Sequence, residues 1–367
     1  MKIMVYTNSM NPAGGLERVI SKHINFMALS NQVTVLTKEP SQCFYELPAD
    51  VLLHNLGLHY KLNLKSRLCR ILFILAHLFS TVWLLKGKLK EINPAAIYIA
   101  TPLNLLELFL AKLLRAQCSL SDVIVTEHAS YSGYNRAYKF IIKLLYKKVG
   151  LLCVPTKGDS NLYKEMGIKN QYLPNPLSFM PSSFSTNQQK IVLNVGRLTD
   201  DKQHSVLINI WAKAKYKDGW ILKIIGSGEN YSDIVNQIES MGLSDSVIIC
   251  DPTKDIESEY VSASFFVLTS RVEGFGLVLL EAMACGLPCV AFNCPSGPRD
   301  IISDGHSGFL ANAGDEEMFL NRLETFLKDE ALRKKFGSAA RSDSLKFEEQ
   351  LVRKKFNMLI GKHFKFN

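Results

Sequence analysis

Residues Phe265–Phe292 read "FFVLTSRVEGFGLVLLEAMACGLPCVAF". An apolar run, Phe265–Leu268, is followed by a glycine-bearing turn. A helical pattern begins near Gly276, and a second apolar run follows at Cys289–Phe292. Strand, helix and strand in so short a space, with strands apolar throughout, is the signature of a parallel sheet covered on both faces. Two carboxylates, Glu273 and Glu281, flank the turn. Glu281 sits among Leu277, Leu279, Leu280, Ala282 and Met283, where a charge needs a partner or a task.

The same rhythm extends in both directions. Strands are expected at Ile3–Tyr6, Val33–Thr37, Val51–His54, Ala96–Ala100, Val123–Glu127 and Leu151–Pro155. A second series is expected at Ile191–Val195, Ile221–Ile225, Val247–Cys250, Phe265–Leu268 and Cys289–Phe292, with helices closing the chain after Asp315. Between the series lies "LPNPLSFMPSSFSTNQQK", Leu173–Lys190, whose prolines and small polar residues read as an interdomain linker. The chain is therefore α/β, in two doubly wound domains, and ligands of such sheets sit beyond the carboxyl ends of the strands.

The chain has 367 residues, 47% of them hydrophobic and 21% charged, which suits packed cores and excludes disorder. The net charge of +9 favours anionic partners. Nucleic acid is not expected among them, because no recognised module or cluster of base-stacking aromatics is present. The eight cysteines include no Cys-x-x-Cys pair and read as small buried residues, with no metal site. "MKIMVYTNSM" is a strand and not a signal peptide, and the apolar run Leu72–Leu85 is shorter than the roughly 20 residues a bilayer span needs.

Several turns carry candidate chemistry. "NPAGGLERV" places Gly14 and Gly15 before a helix, either as a plain turn or as bare backbone for an anion. "NVGRLTDDKQH" sends Arg197 and Lys202 from the loop that Gly196 opens, as phosphate ligands or as a solvated surface. "KIIGSGEN" brackets Ser227 with Gly226 and Gly228 but lacks a full dinucleotide fingerprint. In "EGFG" the amides of Gly274, Phe275, Gly276 and Leu277 suit a diphosphate or a sugar. Glu281 suits ribose hydroxyls, and Glu273 reaches toward a sugar.

Taken in order, "GG", "LPNP", "GRLTDDK", "EGFGLVLLE" and "DGHSGFL" (Asp304–Leu310) resemble the large family of retaining glycosyltransferases often called family 4. The resemblance implies the GT-B fold, two Rossmann-like domains facing a central cleft. Residues 1–180 would bind the acceptor and 190–344 the nucleotide sugar, with a helix in 345–367 packing back on the first domain. It implies that Arg197 and Lys202 hold the diphosphate, that Glu281 binds ribose and that Glu273 faces the transferred sugar. It adds Gly15 and Glu127 as substrate contacts, beside Gly226, whose "KIIGSGEN" turn reads by itself as nucleotide-facing, and His128, in "VTEHAS", as a catalytic histidine. It also implies a UDP-linked donor, retention of configuration and no metal or other cofactor, since no Asp-x-Asp motif is present to hold one. The favoured donor sugar is an N-acetylhexosamine such as GalNAc, or a hexose. The favoured acceptor is a polyprenyl-diphosphate-linked saccharide of bacterial O-antigen or surface polysaccharide assembly. A soluble transferase acting on a small acceptor or glucan, and a non-catalytic nucleotide-sugar binder, are the alternatives.

Lys61–Lys90 holds seven cations and no acid around Phe73, Phe79 and Trp83. Tyr138–Lys148 and the terminal "KHFKFN" repeat the pattern. These segments suit an anionic membrane surface, which would place the protein on the cytoplasmic face of the inner membrane. The other reading of Leu72–Leu85 is a core helix of the first domain.

Overall fold

A computed structural model describes residues 1–40, 42–58 and 67–364 of the chain. Two compact units are resolved: Met1–Pro176 together with Gln350–Asn367, and Leu177–Glu349.

The first unit is built on β1 (Lys2–Thr7), α1 (Gly15–Ala28), β2 (Gln32–Thr37), β3 (Leu52–Asn55), α2 (Arg67–Ile92), β4 (Ala96–Ile99), α3 (Pro102–Leu113), β5 (Val123–Thr126), α4 (Arg136–Leu145), β6 (Leu151–Val154), α5 (Lys157–Glu165) and β7 (Gln171–Tyr172). Its strands are parallel, in the order β3-β2-β1-β4-β5-β6-β7. The side-chain period of two sends Met4 and Tyr6 of β1 into the core on one face of the sheet, while Ile3 and Val5 enter the core on the other. This is why the strand reads as an unbroken apolar run.

The second unit follows with β8 (Ile191–Val195), α6 (His204–Lys213), β9 (Ile221–Ile225), α7 (Tyr231–Ser240), β10 (Val247–Cys250), α8 (Ile256–Val261), β11 (Phe265–Leu268), α9 (Leu277–Ala284), β12 (Cys289–Asn293), α10 (Pro298–Ile301), β13 (Gly308–Asn312), α11 (Glu316–Lys328) and α12 (Glu330–Ser344). Its parallel order is β10-β9-β8-β11-β12-β13. Phe265 and Val267 pack on one side of this sheet, and Phe266 and Leu268 on the other. The last helix, α13 (Glu349–His363), packs Val352, Phe356, Leu359 and Ile360 into the core of the first unit.

Two expectations are corrected. The polar stretch expected as a linker is folded onto the second unit from Leu177 onward. Ser182 donates from its backbone and its hydroxyl to Glu257, and the Asn187 amide donates to the carbonyls of Ser264 and Gly286, both at 3.0 Å. Small polar residues serve a flexible linker and a hydrogen-bonded strap equally well, so composition did not separate the two. Strands β7 and β13 were not expected. The first has two residues, and the second opens on Gly308 and ends on Asn312, leaving little apolar pattern.

Of the cysteines expected to be buried, Cys153, Cys285, Cys289 and Cys294 are, while Cys43, Cys118 and Cys250 are only half-buried; burial pushes the Cys285 thiol up to about 12. No helix among the described residues is long and apolar enough to cross a membrane.

Candidate functional site

In the second unit the strand order reverses direction between β8 and β11. At such a switch point the loops leaving two adjacent strands diverge to opposite faces of the sheet and open a crevice at its carboxyl edge. The β8–α6 loop carries Gly196, Arg197 and Lys202, and the β11–α9 loop carries Glu273, Gly274, Phe275 and Gly276. The topology therefore brings together two motifs about 70 positions apart in sequence.

Hydrogen bonds join the two loops. The Thr269 hydroxyl donates to the carbonyls of Lys202 and Gln203 at 3.1 and 3.2 Å. The Arg271 amide donates to the Asp201 carbonyl at 2.8 Å. Across this frame Lys202 Nζ lies 2.6 Å from Glu273 Oε1, with side-chain exposures of 17% and 9%. The Ser270 hydroxyl donates to the same carboxylate oxygen at 2.7 Å. The ammonium is thus held by a carboxylate yet remains partly open to solvent. Arg197, on the same loop, is exposed.

Gly276 adopts φ 97°, a left-handed conformation that side chains rarely tolerate, and α9 starts immediately after it. No side chain caps this helix, so its first amides point their partial positive charge past the turn. The Phe275 ring turns inward against Phe347, at a centroid distance of 5.6 Å. Leu277 opens the helix half-buried. Gly226, at the end of β9, has a different reason: a Cβ there would stand 1.9 Å from the Gly196 carbonyl oxygen, so the two loops pass in backbone contact.

Glu281, the fifth residue of α9, is 3% exposed. Its Oε2 accepts from the Tyr260 hydroxyl at 2.9 Å, and its Oε1 accepts from the Ser178 hydroxyl. These hydroxyls keep a carboxylate tolerable amid leucines. Neither was visible in the sequence: Ser178 lies in the stretch taken for a linker, and Tyr260 lies on α8 with no motif around it.

The candidates of the first unit lie on separate elements. Gly14 caps α1 and Gly15 begins it, with the Tyr45 hydroxyl donating to the Gly14 carbonyl at 3.4 Å. Glu127 and His128 follow β5, and β4 stands between β5 and β1. Glu127 is turned into the core, where it accepts from the hydroxyls of Tyr134, at 2.6 Å, and Tyr146. Burial pushes its carboxyl up to about 7, against the pull of these hydroxyls. His128 is half-buried and its Nε2 lies 2.9 Å from Thr126 Oγ1. Burial presses its pKa down to about 4.

On the surface of the first unit, α2 buries Val82, Leu85 and Leu89 and exposes Phe79 at 64% and Trp83 at 61%. Those two rings stack at 6.5 Å, with Lys86 Nζ 5.8 Å from the indole. Helix α4 exposes Phe140 and Leu144 among Lys143, Lys147 and Lys148. Lys61, Lys65 and the end of the terminal basic segment lie outside the described residues, as do the side chains of Arg67, Arg70 and Phe73.

Residues 178–343 match the family model for glycosyl transferases group 1, a span that lies within the second unit. The chain is 28% identical over 372 residues to the amylovoran biosynthesis glycosyltransferase AmsD of Erwinia amylovora, covering 98% of this chain and 99% of that one. It is 28% identical over 255 residues to N-acetylgalactosamine-N,N'-diacetylbacillosaminyl-diphospho-undecaprenol 4-alpha-N-acetylgalactosaminyltransferase of Campylobacter jejuni, covering 67% of this chain and 68% of that one. Among solved structures it superposes on HepE of Anabaena in complex with UDP-glucose with a TM-score of 0.76 at 18% identity, over 99% of this chain and 100% of that one. The fold is GT-B, built from two doubly wound α/β units.

Proposed function

We infer that the protein is a retaining glycosyltransferase that takes a sugar from a UDP-linked donor. The single observation that carries this reading is the switch point of the second unit. There a partly open lysine, an exposed arginine and an uncapped helix start converge beside two carboxylates, one paired with the lysine and one held by two hydroxyls.

The chemistry follows from charge. Breaking the glycosidic bond leaves a nucleoside diphosphate with growing negative charge. Arg197, Lys202 and the amides of Gly274–Leu277 stabilise that charge without rearranging as it develops. These groups do so without a metal ion. Glu273, tied to Lys202, holds the ammonium in place and faces the sugar as an electrostatic support, not as a nucleophile. Glu281 binds the ribose hydroxyls, exchanging the Ser178 hydroxyl for one of them. The acceptor hydroxyl attacks from the face that the diphosphate leaves, and a diphosphate oxygen takes its proton. Gly14, Gly15 and His128 are the ligand contacts assigned to the first unit. Glu127 supports the loop that carries His128.

The assigned donor is a UDP-N-acetylhexosamine such as UDP-GalNAc, or a UDP-hexose. The acceptor is a polyprenyl-diphosphate-linked saccharide in bacterial surface polysaccharide or O-antigen assembly. The names of the Erwinia and Campylobacter relatives support this class. Such an acceptor is presented at a membrane. The exposed aromatics of α2 and α4, set among lysines, suit an anionic bilayer surface on its cytoplasmic side.

Incubation with a panel of UDP-sugars tests the reading, with UDP release as the readout and EDTA in a parallel arm. One or a few donors are expected to be hydrolysed slowly without acceptor, unaffected by the chelator. Absence of turnover on every donor, or activity lost to EDTA and restored by magnesium or manganese, overturns it. NMR of the product anomer checks retention. Co-sedimentation with vesicles containing anionic lipid, lost on Trp83→Ser with Phe140→Ser, checks the membrane surface.

A further inference from the structure

A run of hydrogen bonds crosses the interior of the first unit and ends on His128. His128 Nε2 lies 2.9 Å from Thr126 Oγ1 at the end of β5. The Thr126 hydroxyl donates to the Tyr98 hydroxyl oxygen, on β4, at 2.6 Å. That oxygen lies 2.8 Å from Nδ1 of His23 on α1. Thr126, Tyr98 and His23 are buried, and the His23 ring stacks on Phe356 of α13 at 4.6 Å.

The direction of the chain follows from its middle link, in which the Thr126 hydroxyl donates to Tyr98. Each hydroxyl has one hydrogen to donate. Thr126 directs its hydrogen to Tyr98, so its oxygen faces His128 as an acceptor, and Nε2 of His128 carries the hydrogen. Tyr98, having accepted from Thr126, has its own hydrogen for Nδ1 of His23, which is therefore the bare nitrogen of that ring. Both rings are neutral, because burial presses their pKa values well below the usual histidine range, and His128 further opposes charge on His23. A neutral imidazole protonated at Nε2 has a lone pair at Nδ1. Nδ1 of His128 has no hydrogen-bond partner among the described residues.

We propose that His23, Tyr98 and Thr126 are positioning residues that hold His128 in its Nε2–H tautomer, so that the ring meets a ligand as an acceptor at Nδ1. This sets a specificity. A hydroxyl or amide N–H of a ligand is accepted at Nδ1, whereas a phosphate or carboxylate oxygen finds a second lone pair and is turned away. A buried acceptor without a donor costs about 1–3 kcal/mol, and a ligand hydroxyl removes that cost on binding. That the hydroxyl belongs to a sugar rests on the function proposed above. The tautomer does not, and it is measured without substrate.

The test is a long-range 1H–15N correlation spectrum of the full chain labelled with 15N-histidine, with His128 assigned by the signals lost in His128→Gln. The wild type is expected to show hydrogen on Nε2 and a bare Nδ1 for His128, unchanged between about pH 6 and 8. Tyr98→Phe releases the Thr126 hydrogen to point back at Nε2, and the hydrogen of His128 is expected to move to Nδ1. Thr126→Ser keeps the wild-type pattern. Wild-type His128 protonated at Nδ1 overturns the proposal even if no variant folds, and so does an unmoved tautomer in Tyr98→Phe. In turnover assays Tyr98→Phe is expected to lower kcat/KM about tenfold, the size of one lost hydrogen bond. A wild type that turns over no UDP-sugar defeats the transferase reading and leaves the tautomer result standing.

Discussion

Two lysine–glutamate pairs of the same 2.6 Å length stand at the carboxyl ends of the two sheets. Lys38–Glu107 lies in the first unit, with both side chains 3% exposed, and the Tyr6 hydroxyl adds a bond to Glu107 at 2.7 Å. Lys202–Glu273 lies in the second, with exposures of 17% and 9%. The first pair is sealed, and burial lowers the Lys38 pKa while Glu107 opposes the shift. The second leaves one face of the ammonium within reach of a ligand. A sealed pair is costly to break and recognises nothing, whereas a part-open pair is preorganised charge waiting for an anion.

The difference predicts opposite phenotypes. Lys202→Ala is expected to lower kcat about a thousandfold while the urea midpoint stays near wild type, because the charge it removes acts in the transition state. Near-normal turnover would erase the contrast. Glu107→Ala is expected to cost about 3–5 kcal/mol of stability by leaving an ammonium buried and unpaired, which urea unfolding measures. A mild loss of stability would mean the first pair is wetter than its burial indicates.

Glu127 sharpens the comparison through pH. Its folded pKa, about 7, lies above the ordinary carboxylate range. Between that range and pH 7 the folded state keeps a proton the unfolded chain has lost. Wild-type stability therefore falls as pH rises through this window and levels off above it. Glu127→Gln is expected to remove about 2–3 kcal/mol of that fall, read as the difference between urea midpoints near pH 5 and pH 8 for the two proteins. A parallel pH dependence in both would show the carboxyl to be ionised throughout. The smallest effect is expected of Tyr260→Phe, which deletes one hydroxyl from Glu281. KM for the nucleotide sugar should rise about fivefold with kcat little changed. An equal fall in kcat would place Glu281 in the chemistry and not in binding.

Much of the second unit was legible. Ile191–Val195 and Phe265–Leu268 were read to the residue, because a strand buried on both faces is an apolar run with abrupt polar or glycine ends. The turn at Gly276 was legible because its φ of 97° favours glycine. The burial of Glu281 followed from its neighbours, but the hydroxyls of Ser178 and Tyr260 that make it tolerable did not. They stand 103 and 21 positions away. The first unit was less legible in its polar interior. Lys38, Tyr98, Thr126 and His23 carry no spacing that separates them from surface residues of strands and helices.

Local patterning along the chain determined where strands and helices form, that the sheets are parallel and covered, and which loops bear cations, carboxylates and bare amides. Periodicity and backbone sterics act between near neighbours and are written in consecutive residues. Only the tertiary structure decided that Lys202 grips Glu273, that Glu127 is enclosed by tyrosines, and that His128 is linked through Thr126 and Tyr98 to a histidine on α1. Those outcomes depend on strand order and on which polar atoms burial deprives of water, and both are settled by the whole packed unit.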